Sequence, residues 1–254
     1  MNITVLALSG GGERHHQEEV AQKETWAKDP ESDFQVIWVH GSETDERRYD
    51  EISRRLIVPV EENYSNLLAK RVTSLKWALE KYPSQFYILT NCSGYINLKL
   101  IEPLLKSLPN EDCYAGPSGT GFENGRGYFY IGGGFVVVSR NVAVKISNID
   151  VNKYVGISDD LAMGIELNHH GIQARPIEFC NLAYGHKLEN LAYIRVRHLI
   201  KPRVTLKRLY EVDAYVKSGC YPRGRKIREI WRLLTEALPH QYSLRKAVYE
   251  LRKI

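Results

Sequence analysis

The chain is 254 residues long, with 43% hydrophobic residues, 26% charged residues and a net charge of +5, a composition typical of a globular protein with one large core. No apolar run approaches the about 20 residues that cross a bilayer, and the first apolar segment runs into glycines instead of a cleavage site. The four cysteines are spread singly, which argues against a zinc site or a disulfide framework. We therefore expect a soluble, cytoplasmic protein.

Apolar runs with strand character alternate with segments of helical spacing. In the segment 66–82, five apolar residues at helical spacing share one face, and a second helical segment, 97–108, contains Pro103 either in its first turn or at a break. The predicted strands are 3–8, 34–39, 56–60, 86–89 and 135–138. This alternation predicts an α/β fold, an α/β/α sandwich with a mixed, mainly parallel sheet.

The second half of the chain differs from the first in amino-acid composition. Residues 111–134 are rich in glycine and aromatic residues, and we expect loop and irregular strand there, of a length that is more often functional than decorative. A helix follows, with Ser158 as its N-cap and Gly171 as its C-cap. Residues 174–179 have strand character.

The tail, from about residue 205, has the pattern of three basic amphipathic helices. We expect two parts, a domain at 1–200 and a basic helical extension at 201–254 packed on or beside it. A basic surface favours an anionic partner such as a phosphate-bearing ligand, a nucleic acid or a membrane face, or it is simply solvated. We favour peripheral membrane association over nucleic acid binding.

Polar residues follow two predicted strands. Ser9 and Gly10 follow the first, in a glycine-rich segment that lacks the spacing of known phosphate loops but allows a nucleotide to lie nearby. Asn91, Cys92 and Ser93 follow the strand at 86–89, where α/β proteins usually place their chemistry. None of these three side chains is charged.

Two further segments have both a structural and a functional interpretation. Asp159 and Asp160 open a predicted helix, where they compensate its dipole or supply a general base. The triple glycine at 132–134 forms either a bulge or a wall that a sugar approaches closely because no Cβ intrudes. His15 and His16 lack partners at metal-ligand spacing and are expected to be solvated.

Five weak motifs, in order, resemble those of the β-1,3-galactosyltransferase and Fringe-like glycosyltransferases, a family with a GT-A fold. The resemblance covers about residues 3–183. The matching residues are Lys23 and Trp26 in QKETW; Glu62, Tyr64, Asn66, Leu67 and Lys70 in ENYSNLLAK; residues 90–97; residues 128–139; and Asp159, Asp160, Leu161 and Gly164.

The resemblance implies a GT-A-like enzyme that moves a sugar from a nucleotide diphosphate, such as a UDP-sugar, to a hydroxyl of a glycan or glycoprotein with inversion. It implies Asp160 as the catalytic base, with Asp159 beside it. The implied donor-binding residues are Ser9, Gly10, Lys70, Thr90, Asn91, Cys92, Ser93 and His186. The implied acceptor-binding or sugar-binding residues are Tyr130, Gly132, Gly133 and Gly134.

The chain departs from the family where an aspartate cluster would hold a divalent metal, since Asn91, Cys92 and Ser93 stand there. Neutral oxygens are weak ligands for a hard cation. We expect no metal ligands and no required cofactor, although Mn²⁺ at a differently built site is an alternative. Lys70, Arg126 and the basic tail are the expected counter-charges for the diphosphate. A catalytically inactive sugar-binding or scaffold module is the alternative function.

Overall fold

A computed structural model describes residues 1–28, 34–43, 46–123, 125–182, 191–196 and 202–218. His186 and the second and third predicted tail helices lie outside the described residues. The structure describes α-helices α1 (Glu13–Glu24), α2 (Leu67–Lys81), α3 (Leu98–Lys106), α4 (Arg140–Ser147), α5 (Asp159–His169) and α6 (Pro202–Ser218). Single 3₁₀ turns occur at Tyr64–Asn66 and Val151–Tyr154.

The described strands include all five predicted ones. They are β1 (Ile3–Leu8), β2 (Phe34–Gly41), β3 (Arg48–Asp50), β4 (Arg55–Val58), β5 (Phe86–Asn91), β6 (Gly94–Ile96), β7 (Tyr114–Gly116), β8 (Ser118–Glu123), β9 (Arg126–Ile131), β10 (Phe135–Ser139), β11 (Arg175–Pro176), β12 (Cys180–Asn181) and β13 (Tyr193–Arg195). The strand expected at 174–179 is reduced to the two residues of β11.

The main sheet has eight strands in the order β11-β7-β10-β5-β1-β2-β4-β3. The central strands β5, β1, β2 and β4 are parallel, while β10 runs antiparallel to both β5 and β7. The predicted mixed, mainly parallel α/β fold is therefore confirmed. From β1 the chain builds outward through β2 and β4, then returns to place β5 on the other side of β1. The boundary between β1 and β5 is thus the topological switch point, where ligands bind in open α/β sheets.

Alternation along the central strands divides the core into two layers, because successive strand residues face opposite sides. Leu6 and Leu8 of β1 face a layer covered by α2, α4 and α5. Val5 and Ala7 face the opposite layer, covered by α1, α3 and α6. Helices on both faces exclude water from the sheet, so that the strands can be apolar on both sides.

The segment 111–134 is more regular than we expected. It contains β7 and a β8–β9 hairpin, paired antiparallel from Ser118 opposite Ile131 to Glu123 opposite Arg126. One face of the hairpin packs on α5, where a Cβ on Gly164 would lie 2.5 Å from the Cβ of Tyr130. The many glycines, which we took as a sign of loop, allow this close packing.

Helix α6, the described part of the tail, packs against the domain. Its Leu209 and Val212 are fully buried. Asp213 accepts a hydrogen bond from Tyr95 of β6 at 3.1 Å, and Tyr210 donates one to Glu24 of α1 at 2.5 Å. The division of the chain at residue 200 stays a prediction.

Two further features concern the helices. Pro103 neither opens nor breaks α3, because the helix runs on to Lys106. Within the described ranges, no helix combines the length and apolar character needed to cross a membrane.

Candidate functional site

A cleft of about 840 Å³ opens at the switch point between β1 and β5. Its floor is formed by the segments that follow these two strands. The glycine segment between β9 and β10 and the start of α5 form one wall. Strand β13 forms a second wall, which meets the first where the Tyr193 hydroxyl lies near Gly134. Of the residues predicted from sequence, Ser9, Gly10, Asn91, Cys92, Ser93, Tyr130, Gly132, Gly133, Gly134, Asp159 and Asp160 line this cleft.

The two aspartates at the start of α5 differ in their surroundings. Asp159 is buried and forms an ion pair with Arg71 of α2, whose Nε donates to Asp159 Oδ2 at 2.5 Å. Both side chains are less than 10% exposed, at 9% and 4%. Asp159 therefore ties α5 to α2, which is a structural role, and its charge is already compensated.

Asp160 is only partly buried, and neutral groups hold its carboxylate. Oδ1 accepts hydrogen bonds from Ser158 Oγ at 2.7 Å and from the Leu161 amide at 2.9 Å, while Oδ2 accepts one from the Gly133 amide at 3.2 Å. No cation pairs with this carboxylate among the described residues. Asp160 thus presents at the cleft a carboxylate in a fixed position without an ion-pair partner among the described residues, an arrangement that suits a general base.

The glycine segment needs glycine because polar side chains approach it closely. A Cβ on Gly133 would lie 2.9 Å from Arg71 Nη2, and one on Gly134 would lie 3.0 Å from the Tyr193 hydroxyl. Arg71 donates to the Gly133 carbonyl at 2.6 Å, and Thr90 donates to the Gly134 carbonyl at 2.8 Å. Thr90 therefore supports this wall from behind and does not itself line the cleft.

The neutral cluster forms a local turn. Asn91 Oδ1 accepts from the Ser93 amide at 3.1 Å and from Ser93 Oγ at 2.8 Å. The Cys92 thiol points inward and donates to the Leu8 carbonyl at 3.4 Å, and burial raises its pKa to about 12. A protonated thiol and oxygens already engaged in a turn do not fit a hard divalent cation. In the described part of the chain, no three His, Cys, Asp or Glu side chains gather as a metal site.

Lys70 and Arg126, both expected near the diphosphate, do not line the cleft. The Lys70 ammonium is buried and donates to the Ser9 carbonyl and to both Glu62 oxygens, at 2.8 and 2.7 Å. Burial lowers its pKa, although the carboxylate of Glu62 opposes that shift. Lys70 thus fixes the end of β1. Arg126 is exposed at the far end of the hairpin, 5.3 Å from the centre of the Tyr128 ring.

Several cleft residues were not identified from the sequence. Arg71 lines the cleft where we had chosen its neighbour Lys70, and Tyr193 and Arg195 arrive on β13, a strand that we did not predict. His15, expected to be solvated, also lines the cleft, and its ring would lie 2.6 Å from a Cβ on Gly10. Arg14 stands beside it and donates to Glu18 at 3.1 Å.

The comparisons with known proteins concern the fold. No family model matches the chain, and no curated protein matches its sequence. The chain is similar to the crystal structure of a glycosyltransferase involved in the glycosylation of the major capsid of PBCV-1, with a TM-score of 0.55 and 15% identity over 84% of this chain and 100% of that one. The galactosyltransferase LgtC matches at a TM-score of 0.49 and 10% identity, over 91% of this chain and 100% of that one.

A third match, A197 from STIV, has a TM-score of 0.37 and 11% identity, over 70% of this chain and 82% of that one. At these levels of identity, the match to the PBCV-1 glycosyltransferase establishes the fold alone. The chain therefore has a GT-A-like glycosyltransferase fold, as the sequence predicted.

Proposed function

We propose that this protein is a glycosyltransferase that moves a sugar from a UDP-linked donor to a hydroxyl of a glycan or glycoprotein, with inversion at the anomeric carbon. The observation that carries the proposal is the Asp160 carboxylate. It lies in the cleft at the switch point of a glycosyltransferase fold, and only neutral donors hold it. A carboxylate that lies at the cleft without an ion-pair partner is positioned to take a proton from a bound hydroxyl.

In the proposed reaction, the acceptor hydroxyl attacks the anomeric carbon while Asp160 takes its proton. The new bond joins the acceptor oxygen to the sugar, and the bond from the sugar to the diphosphate breaks with its electron pair going to the diphosphate. A single displacement of this kind inverts the anomeric centre and needs one base. Asp159 has a positioning role, because its ion pair with Arg71 fixes the first turn of α5.

The cleft offers separate places for the two substrates. Ser9, Gly10 and the turn at Asn91 lie at the ends of β1 and β5, where a nucleotide is expected in this type of fold. Tyr130 and Asp160 lie on the other side, so we assign the acceptor there. The glycine segment adjoins both places, because Gly133 donates to Asp160 and Gly134 lies near Asn91. Burial and the nearby Asp160 carboxylate raise the pKa of Tyr130, which keeps its hydroxyl available as a hydrogen-bond donor.

We further propose that the chain is a divergent relative of the Fringe-like family and that it works without a metal. The structure gives a physical reason for one shared position, because Gly164 lets α5 pack directly against β9. The donor chemistry of Asn91, Cys92 and Ser93 supports metal-independent transfer, since none of the three supplies a carboxylate. Membrane association through the tail and a cytoplasmic location stay predictions.

The alternative, an inactive sugar-binding module, makes a different prediction about catalysis. We would incubate the protein with a panel of sugar nucleotides and glycan acceptors and measure release of the nucleoside diphosphate. Asp160→Asn should lower the rate by about 10²- to 10⁴-fold, the usual contribution of a general base, while UDP affinity measured by calorimetry changes by less than about twofold.

Asp150→Asn is the matched control, because Asp150 is exposed and caps a 3₁₀ turn through Asn152. This variant should keep the wild-type rate. Wild-type activity in Asp160→Asn would refute the assignment of the base. Absence of turnover with every donor in the panel would favour the inactive module.

A further inference from the structure

Most of the charged side chains that line the cleft pair with a neighbouring opposite charge. Arg14 pairs with Glu18 at 3.1 Å and Arg71 with Asp159 at 2.5 Å. Glu62 pairs with the buried Lys70 at 2.7 Å. Among the described residues, the two fixed charges at the cleft without an ion-pair partner are Asp160, already discussed, and Arg195.

Strand β13 places Arg195 beside the neutral cluster. It pairs antiparallel with β6, so that Arg195 lies opposite Gly94, and the Val196 amide donates to the Ser93 carbonyl at 3.2 Å. Tyr193 is two residues earlier on the same strand and therefore projects from the same face. A guanidinium and a hydroxyl thus stand next to the turn that begins at Asn91.

Three of the side chains that line the cleft also contain buried polar atoms without partners. In the part of the chain that the structure describes, Arg195 Nε, the Tyr193 hydroxyl and Arg71 Nη1 are buried and have no hydrogen-bond partner. The Arg71 side chain is 4% exposed and Tyr193 is 1% exposed. Native proteins rarely leave buried donors unpaired unless a ligand, an ion or a water completes them.

The glycine segment brings two of these side chains, those of Tyr193 and Arg71, to adjacent residues. The Tyr193 hydroxyl lies 3.0 Å from the Cβ position of Gly134, and Arg71 Nη2 lies 2.9 Å from that of the adjacent residue, Gly133. The Tyr193 hydroxyl stays protonated, because burial raises its pKa to about 12 even though Arg195 opposes the shift. The three unpartnered atoms are therefore all hydrogen-bond donors, and a ligand that satisfies them must be rich in acceptors.

We propose that Arg195, Tyr193 and Arg71 form a binding site for a diphosphate group, in which the Arg195 guanidinium supplies the positive charge beside Asn91, Cys92 and Ser93. The inference rests on the proposed function in that the diphosphate belongs to a nucleotide-sugar donor. A diphosphate offers only acceptors, and a guanidinium binds phosphate oxygens with two parallel hydrogen bonds. Charge grows on the diphosphate as it leaves, so the same contacts strengthen during transfer.

The test measures binding of inorganic pyrophosphate and of UDP by calorimetry in EDTA, with the whole 254-residue chain. Arg195→Gln should weaken both by about tenfold or more, because it removes a charge-assisted contact. Tyr193→Phe should weaken both by about threefold or more without lowering the melting temperature, because the hydroxyl that it removes has no partner within the protein.

Arg126→Gln is the matched control, since it removes the same group from an exposed position outside the cleft, and it should bind like the wild type. Failure of the wild type to bind either probe in EDTA would overturn the site, as would wild-type affinity in both cleft variants. If Arg195→Gln does not fold, the affinity of Tyr193→Phe for the two probes tests the site. If the cleft variants bind the probes more weakly but the wild type turns over no sugar nucleotide, the diphosphate site is supported and the proposed function is not. If the wild type turns over a sugar nucleotide but the cleft variants bind like it, the proposed function is supported and the diphosphate site is not.

Discussion

The two walls of the cleft differ in how completely their polar groups are satisfied. At the start of α5, both carboxylates have their hydrogen bonds in place, Asp159 from Arg71 and Asp160 from Ser158, Leu161 and Gly133. At β13, the Tyr193 hydroxyl and Arg195 Nε have none within the described residues. The carboxylates at the start of α5 are thus held by the protein itself, whereas the unpartnered donors at β13 are the ones that we propose to be completed by a diphosphate.

The largest effect on stability is expected at the Arg71–Asp159 pair. Asp159→Asn leaves a buried guanidinium without its counter-charge, which should lower the free energy of unfolding by about 3–5 kcal/mol. This loss of stability can be measured by urea denaturation, with unfolding monitored by circular dichroism. Asp160→Asn is the comparison, because its amide oxygen still accepts from neutral donors, and it should cost less than about 1.5 kcal/mol. Equal stability of the two variants would contradict the division of roles between the carboxylates.

A smaller effect is expected where α5 packs against the hairpin. Gly164→Ala would place a Cβ 2.5 Å from the Cβ of Tyr130, and such overpacking costs about 1–3 kcal/mol. Gly127→Ala, in the same hairpin, meets Phe122 at an ordinary 3.4 Å and serves as the control. Thermal unfolding compares the two. A Gly164→Ala protein as stable as Gly127→Ala would show that α5 and its carboxylates are not held by this contact.

The smallest effect concerns metal removal. If Arg195 supplies the positive charge at the β13 wall, transfer should change by no more than about twofold on adding EDTA, because no divalent cation is lost from the diphosphate site. We would measure the initial rate of transfer with and without EDTA, and again after addition of Mn²⁺. A strict requirement for Mn²⁺ would mean that this wall is incomplete without a metal.

The central strands of the main sheet could be predicted from the sequence, because they are buried on both faces and appear as continuous apolar runs. Asp160, at the start of a predicted helix, and Asn91 to Ser93, after a predicted strand, could be selected from the sequence and line the cleft, while their roles stay predictions. The β8–β9 hairpin was missed because its glycines, which permit close packing, also mark loops. The three-residue strands β6 and β13 were missed because they are too short to show periodicity.

Two cleft residues were beyond sequence reasoning for separate physical reasons. Lys70 and Arg71 are adjacent on α2 and point about 100° apart, so the rotation of the helix decides which one reaches the cleft. Arg195 joins the site through pairing of β13 with β6, about a hundred positions earlier in the chain. Because these contacts are non-local, the sequence around either residue does not predict that it lines the cleft.

The pairing of β13 with β6 also has a consequence for the order in which the lining of the cleft is completed during synthesis. Chains emerge from the ribosome N-terminus first and begin to fold as they do so. All strands of the eight-stranded sheet lie before residue 177, whereas Arg195 and α6 come later. A nascent chain can therefore assemble its sheet and both aspartates before it makes β13, whose Tyr193 and Arg195 line the cleft. The proposed diphosphate site would therefore be completed after the rest of the cleft.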